Sequence, residues 1–441
     1  MTDTKNAKLK LIKLGLIFSL IIYVFSTLEF SSVPIIDGYA NKPSFFSNEN
    51  CTLFINDVVN NHQRTIELKN IATHHSQSFT ILGIRQDTLK KAWKNGFGYK
   101  MSGSIYLSGQ ESGIYQIDNK IPIIIKPPIN EQTDLLIVVP YLNYQAHSNA
   151  GGKSFFAHNS LKSEAAVQLS FNRPIVITDY EFTIAQFANQ YLKKYKVGYI
   201  SDLDILFYKQ IEKTKMLLFY GNMSFISPQM RKNIDLFIAS GGNILFTNNH
   251  FMNNIVRLDL KRKQILFAKN NQKLPNQWND STLKQPNYQT VGASYEIGFL
   301  VDSFPLLIRK NIKDNELTIR DTLHPIFKDL PNSQKNISIS CTLWNGPPLL
   351  GLNESALPII DSTKLAMYYY KVLAYKWSEY NGYKLTIGSI SEFQKKQDSG
   401  ICINMGCGCW IDSLSNNKIH AELLQNAIQY LQEKSMRKKI Y

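Results

Sequence analysis

Leu135-Leu136-Ile137-Val138-Val139 decides the fold: five apolar residues in a row, three of them β-branched, followed at once by Pro140. A strand with one wet face alternates polar and apolar residues, whereas an unbroken run marks a strand covered on both faces of a parallel sheet. Reading onward, a helix-like stretch near Glu181 to Lys194 leads to strands at Val197 to Ile200 and Met216 to Tyr220. Pro228 suits the first turn of the next helix, whose Met230, Ile234, Phe237 and Ile238 fall on one face, and Gly241 suits its left-handed end. Asn243 to Thr247 is the next strand, Tyr383 to Ile387 and Ile401 to Asn404 follow much later, and a helix over Lys418 to Lys434 closes the chain. Strands and helices in alternation predict a doubly wound α/β domain over residues 128–441, with a polar, loop-rich insertion near 253–331.

Reading backward from Leu135, residues 32–127 hold short strand-like runs such as Cys51 to Ile55, Phe79 to Ile84 and Ile121 to Ile125, separated by Asn, Gly, Ser and Pro. That rhythm predicts a β-sandwich, joined to the α/β part by the stiff Lys126-Pro127-Pro128. Residues 1–31 differ again. Four lysines precede an uncharged apolar run from Leu14 to Leu28, the pattern of a signal peptide or signal anchor, with no clear small-residue cleavage site after it. An uncleaved anchor with its lysines in the cytoplasm places the bulk of the chain outside the cytoplasm, membrane-anchored or secreted.

Composition narrows the function classes. Over 441 residues the hydrophobic share is 44% and the charged share 19%, which disfavours disorder and coiled coils. A mean hydropathy of −0.20 excludes a polytopic membrane protein. The net charge of +15 raises nucleic-acid binding, but the lysines cluster only at the two ends and no basic face runs along a helix, so no nucleic-acid partner is expected. No glycine-rich phosphate loop is present.

In open α/β sheets ligands gather beyond the carboxyl ends of the strands. The segments expected there are Pro140 to Gly152, Gly221-Asn222-Met223-Ser224 and Asn248-Asn249-His250-Phe251. They supply Asn143, Asn222, Asn249 and His250 as ligand-binding candidates, with Tyr144 as orienting group and His147 as proton carrier. Asp202 and Asp204 are either ligands or turn formers. Ser224 lacks the flanking glycine of a nucleophile elbow. Cys402, Cys407 and Cys409 crowd one turn, where thiolates bind zinc or copper and small residues equally suit a tight bend, so no metal ligand is assigned. His74-His75 reads as surface.

The order of these segments resembles the large (beta) subunits of N,N-dimethylformamidase and their relatives. The resemblance rests on Ile36 to Ser44 and Ser112 to Tyr115 in the β-rich part, and on Tyr144-Gln145-Ala146, Gly151-Gly152-Lys153-Ser154 and Phe171-Asn172-Arg173-Pro174 beyond it. Asp202-Leu203-Asp204, Gly241-Gly242-Asn243 with Asn249, and Asn404 to Gly406 with Trp410 continue the order. It implies a β-sandwich followed by an α/β domain related to class I glutamine amidotransferases, and amide hydrolysis at an iron held by two tyrosines and a glutamate. Tyr144 matches one tyrosine, but His147 stands at the second, Ile175 follows Arg173-Pro174 where relatives often have tyrosine, and Ser224 stands at the glutamate. A neutral serine gives iron no charge, so the cofactor is left open. The expectation is a membrane-anchored envelope protein that binds a small polar molecule and cleaves an amide C–N bond. Its rival is a non-catalytic surface protein, with a degenerate metal site, that binds such a molecule or a glycan; aromatic residues at 12% motivate the glycan.

Overall fold

The computed structural model describes residues 35–267, 277–295, 313–314, 316–331, 334–339, 341, 344–353, 358–380 and 383–435. The lysine-rich start and the apolar run of Leu14 to Leu28 lie outside the described residues. Among the described residues no helix is long and apolar enough to cross a membrane.

The architecture is mixed α/β and strand-rich. Before residue 127 the chain forms two sheets. Asp37–Ala40, Asn50–Asn56 and Gly103–Tyr106 make the smaller; Ser44–Phe46, Ile121–Lys126, Gly113–Ile117, His62–Asn70 and Ser76–Gly83 make the larger. Every second residue points to a core that the two share, with Cys51, Leu53 and Ile55 from the first sheet meeting Ile66, Leu68, Ile117, Ile123 and Ile125 from the second.

Beyond it, β1 (Leu135–Val139), β2 (Val197–Ser201), β3 (Met216–Ile226), β4 (Asn243–Asp259), β5 (Tyr369–Tyr380), β6 (Tyr383–Gln394) and β7 (Ile401–Asn404) join one sheet in the order β2-β1-β3-β4-β7-β6-β5. The first five run parallel. Its helices of seven residues or more, among the described residues, are α1 (Tyr141–His147), α2 (Asp179–Tyr191), α3 (Pro228–Ala239) and α4 (Lys418–Glu433). All five residues of β1 are buried. Leu135, Ile137 and Val139 pack in one cluster with Ile184 and Ala188 of α2 and Leu424 and Ile428 of α4; Leu136 and Val138 pack in the other with Ile234, Phe237 and Ile238 of α3. Each such side chain contributes about 1.5–3 kcal/mol on leaving water. α3 starts where Ser227 accepts the Met230 amide and Pro228 occupies the first turn, and Gly241 at φ +83° follows its end.

Three expectations need correction. The sheet is not wholly parallel, because β5 and β6 form a hairpin of 12-residue strands and a short connection can only return the chain antiparallel. Gly221 to Ser224 and Asn248 to Phe251 are not loops: β3 and β4 run on through them, with irregular register around Met223. The polar stretch from Asn253 begins as strand, for β4 reaches Asp259 and Gln264–Phe267 folds back along it.

Candidate functional site

The strand order reverses between β1 and β3: the chain leaves β1 for β2 on one side, then crosses to β3 on the other. Such a switch point opens a crevice at the carboxyl ends. α1 enters it directly after Pro140. Asp202, at the end of β2, fixes the start of this helix, since its carboxylate accepts the Leu142 amide at 3.0 Å. Burial pushes the Asp202 carboxyl up to about 8 in spite of that bond and of the Ser201 hydroxyl. Asp204 accepts from Lys126 at 2.8 Å and from the Ser201 amide at 2.9 Å. Both aspartates therefore hold the backbone around the crevice.

Arg173 anchors the other end of α1. It is fully buried and donates to the Gln145 side chain at 2.9 Å, to the Gln145 carbonyl, and to the carbonyls of Ser148, Ala150 and Lys153. Burial beside carbonyls rather than a carboxylate lowers its pKa to about 9. Gly151, at φ +81°, passes so close to Trp93 that a Cβ would stand 2.5 Å from that backbone nitrogen. These contacts give the Tyr144-Gln145-Ala146, Gly-Gly and Asn-Arg-Pro segments a common physical purpose, which is to pin α1 at the switch point.

On the pinned helix, the Tyr144 hydroxyl donates to Oε1 of Glu181 in the first turn of α2. The same oxygen accepts the hydroxyl of Tyr220, from β3, at 3.0 Å. Oε2 accepts the Thr178 amide at 2.7 Å and the Thr178 hydroxyl at 2.9 Å, closing the start of α2. Glu181 is buried, and desolvation pushes its carboxyl up to about 7, against the Thr178 amide and the Tyr220 hydroxyl. Burial likewise raises Tyr220. Tyr144 alone of the three keeps some exposure. Sequence reasoning named Tyr144 but neither Glu181 nor Tyr220 as a site residue. The readable signal was Thr178-Asp179-Tyr180-Glu181, a capping box that places a carboxylate at a helix start.

Of the other candidates, Asn143 lies in α1 and Asn222 within β3, and Asn248 precedes the candidate Asn249 within β4; the buried side-chain oxygens of Asn143, Asn222 and Asn248 have no hydrogen-bond partner among the described residues. His147 has one ring face stacked on Phe156 at 4.1 Å, and desolvation followed by His158 lowers its pKa. His250 lies near enough for His147 to add to the burial that lowers it to about 4; its Nδ1 meets the Asn253 amide at 3.1 Å, and its edge meets Tyr295. The side chain of Asn249 lies outside the described residues. Ser224 is buried within β3. Three sizeable cavities among the described residues lie elsewhere: one of about 250 Å³ between Ser112 and Ala188, one of about 600 Å³ beside α3, between Arg231, Arg257 and Trp278, and one of about 500 Å³ between Arg320, Tyr370 and Lys371.

An iron of the family type takes two phenols and one carboxylate. The matched positions, Tyr144, His147 and Ser224, supply a single phenol and no carboxylate. Tyr144, Tyr220 and Glu181 supply two phenols and one carboxylate, the family's donor types, and both hydroxyls meet at Oε1 of Glu181 while Oε2 is held by Thr178. An ion held there would displace the two hydroxyl protons and supply a Lewis acid.

A family model described as N,N-dimethylformamidase beta subunit-like, C-terminal, matches residues 61–338. No curated protein matches the chain. Among solved structures, a ThuA-like protein of Bacteroides uniformis is 11% identical with a TM-score of 0.35, covering 68% of this chain and 92% of that one. A beta-galactosidase of Bacillus circulans is 14% identical with a TM-score of 0.34, covering 68% of this chain but 30% of its own. A cold-adapted beta-galactosidase of Rahnella is 10% identical with a TM-score of 0.34, covering 68% and 31%.

Proposed function

The chain belongs to the N,N-dimethylformamidase beta subunit-like family, and from that premise we propose that its switch-point crevice binds a small nitrogen-bearing ligand and cleaves an amide C–N bond. The observation that carries the reading is the trio of buried, unpartnered amide oxygens on Asn143, Asn222 and Asn248. An unmade bond to a buried acceptor costs about 1–3 kcal/mol, and the N–H groups of an amide, or of its amine product, recover that loss. Tyr144, which follows Asn143 in α1, is the reachable end of a proton path to Glu181, whose pKa of about 7 lets it take and return a proton near neutrality. A water attacking the amide carbon passes its proton toward Tyr144 and Glu181; the same proton returns to the leaving nitrogen as the C–N bond breaks.

Ser224 at the matched carboxylate position favours a second reading, in which the crevice retains a small polar molecule or a glycan without turning it over. Amine or ammonia release from a panel of formamides and acetamides, measured for the purified full chain, Tyr144→Phe and Glu181→Gln, separates the two. Turnover that rises through about pH 7 and is lost in Glu181→Gln supports hydrolysis. Thermal-shift binding of the same amides without turnover supports retention, and neither binding nor turnover sinks both.

The α/β part is proposed to be related to the glutamine amidotransferases and the β-rich part to be a sandwich domain. Residues 1–31 are proposed as the membrane anchor of an extracytoplasmic chain. Recovery of the intact chain in the soluble cytoplasmic fraction would remove that address.

A further inference from the structure

Three of the five cysteines meet beyond the end of β7. Cys407 and Cys409 follow the strand, and Cys341 arrives from 68 residues upstream of Cys409, to which it is joined as a disulfide. All three sulfurs lie within 4.8 Å of one another. Cys402, which the sequence grouped with the pair, sits within β7 and packs toward the α3 cluster instead.

The backbone enforces this meeting. Gly406 adopts φ +81°, and a Cβ there would stand 2.5 Å from the Ser389 carbonyl oxygen and 2.9 Å from the Trp344 ring. Only glycine lets the chain turn this close to the Trp344 segment. That segment is laced to the turn by the Asn345 amide donating to the Gly406 carbonyl at 2.6 Å, and the Trp344 indole donates to the Cys341 carbonyl at 3.0 Å. Around Cys407 the backbone amides of Cys409 and Trp410 and the ammonium of buried Lys376 favour an anionic sulfur. The Cys407 thiol is buried, and a soft cation displaces a thiol proton outright.

We propose that, once a dithiol reductant opens the Cys341–Cys409 disulfide, Cys341, Cys407 and Cys409 together hold one cuprous ion. The reductant gives two electrons and two protons and becomes a disulfide; the ion then displaces three thiol protons. Thiolates bound at roughly 2.3 Å stand roughly 4 Å apart, the scale of this group. Soft sulfur selects Cu(I) or zinc. Zinc wants a fourth ligand, and among the described residues no other Cys, His, Asp or Glu joins the three. A cuprous ion is content with three. Lys376 offsets part of the negative charge of the filled site. In the oxidised chain the disulfide withdraws two ligands, so the site answers to redox state.

The test uses the full-length chain, reduced without oxygen, freed of reductant and titrated with Cu(I) held by bicinchoninate. The expected result is one equivalent captured by the reduced wild type and by Cys402→Ser, and none by the unreduced chain. Cys407→Ser, which keeps the disulfide for folding, is expected to bind roughly a hundredfold more weakly or worse once reduced. The proposal is overturned if the reduced chain captures no copper, if Cys407→Ser captures it as wild type does, or if the chain takes Zn(II) but not Cu(I). Thiol counting in denaturant without reductant is expected to give three free thiols; five would overturn the redox gate.

Discussion

The carboxyl ends of the parallel strands of one mixed sheet carry two clusters built in opposite ways. At β1 and β3 the oxygens of Tyr144, Thr178, Tyr220 and Glu181 share protons, so each group has a partner and the cluster is complete as it stands. Beyond β7 three sulfurs crowd together with one disulfide and one thiol left over. Hydrogen-bonded oxygens respond to pH; crowded sulfurs, weak hydrogen-bonders, respond to oxidants and soft cations. One sheet therefore presents two chemically independent sites, and each perturbation should move only one of them.

The largest expected effect tests the anchoring of the oxygen end. Arg173→Met strands the carbonyls of Gln145, Ser148, Ala150 and Lys153 and is expected to cost about 3–5 kcal/mol in urea unfolding. A loss below about 1 kcal/mol would show that α1 is held by something else. Next comes the sulfur end. Cys409→Ser removes a crosslink spanning 68 residues and is expected to cost about 2–4 kcal/mol, as reductant does in the wild type, whereas unreduced Cys407→Ser stays near wild type. Equal destabilisation by both serines would break the distinction between crosslink and spare thiol.

The pH response should sort the other way. Glu181 in the fold holds its proton up to about 7, whereas the unfolded chain gives it up near 4.5, so stability falls as pH rises between these values. Glu181→Gln is therefore expected to flatten the decline in stability between pH 5 and pH 8 by about 2–3 kcal/mol, read from denaturant midpoints. Asp202 adds a decline of the same sign over a window reaching about 8. His250 acts oppositely: its lowered pKa makes stability fall as pH drops from 6.5 toward about 4. A reductant-dependent pH profile would couple the clusters and sink their independence. The smallest effect belongs to Asn222→Ala, which should weaken binding of a small amide about tenfold in calorimetric titration while changing stability by less than about 0.5 kcal/mol.

Legibility followed the range of the interactions. Leu135 to Val139 was readable because burial on both faces demands an unbroken apolar run, and α3 because its cap, proline and apolar stripe are all local. The end of β3 was misplaced because Gly221 and Asn222 look like turn residues, yet irregular register lets the strand continue through them. Asp202 and Asp204 read as ligands or, better, as turn formers, and the structure shows Leu142 and Lys126 taking their oxygens. Cys402 was grouped with Cys407 by proximity in sequence, although a strand residue and a residue beyond the next turn need not share a side of the sheet.

By itself the sequence determined the parallel strands, the helix caps and the presence of Tyr144 beyond β1, because each depends on residues within about one turn or one strand of one another. Only the tertiary structure decided that Glu181 and Tyr220 meet Tyr144, and that Cys341 joins Cys407 and Cys409. Those meetings depend on strand order and on close turns such as Gly406, and residues brought together across 68 positions leave no periodic trace in the chain.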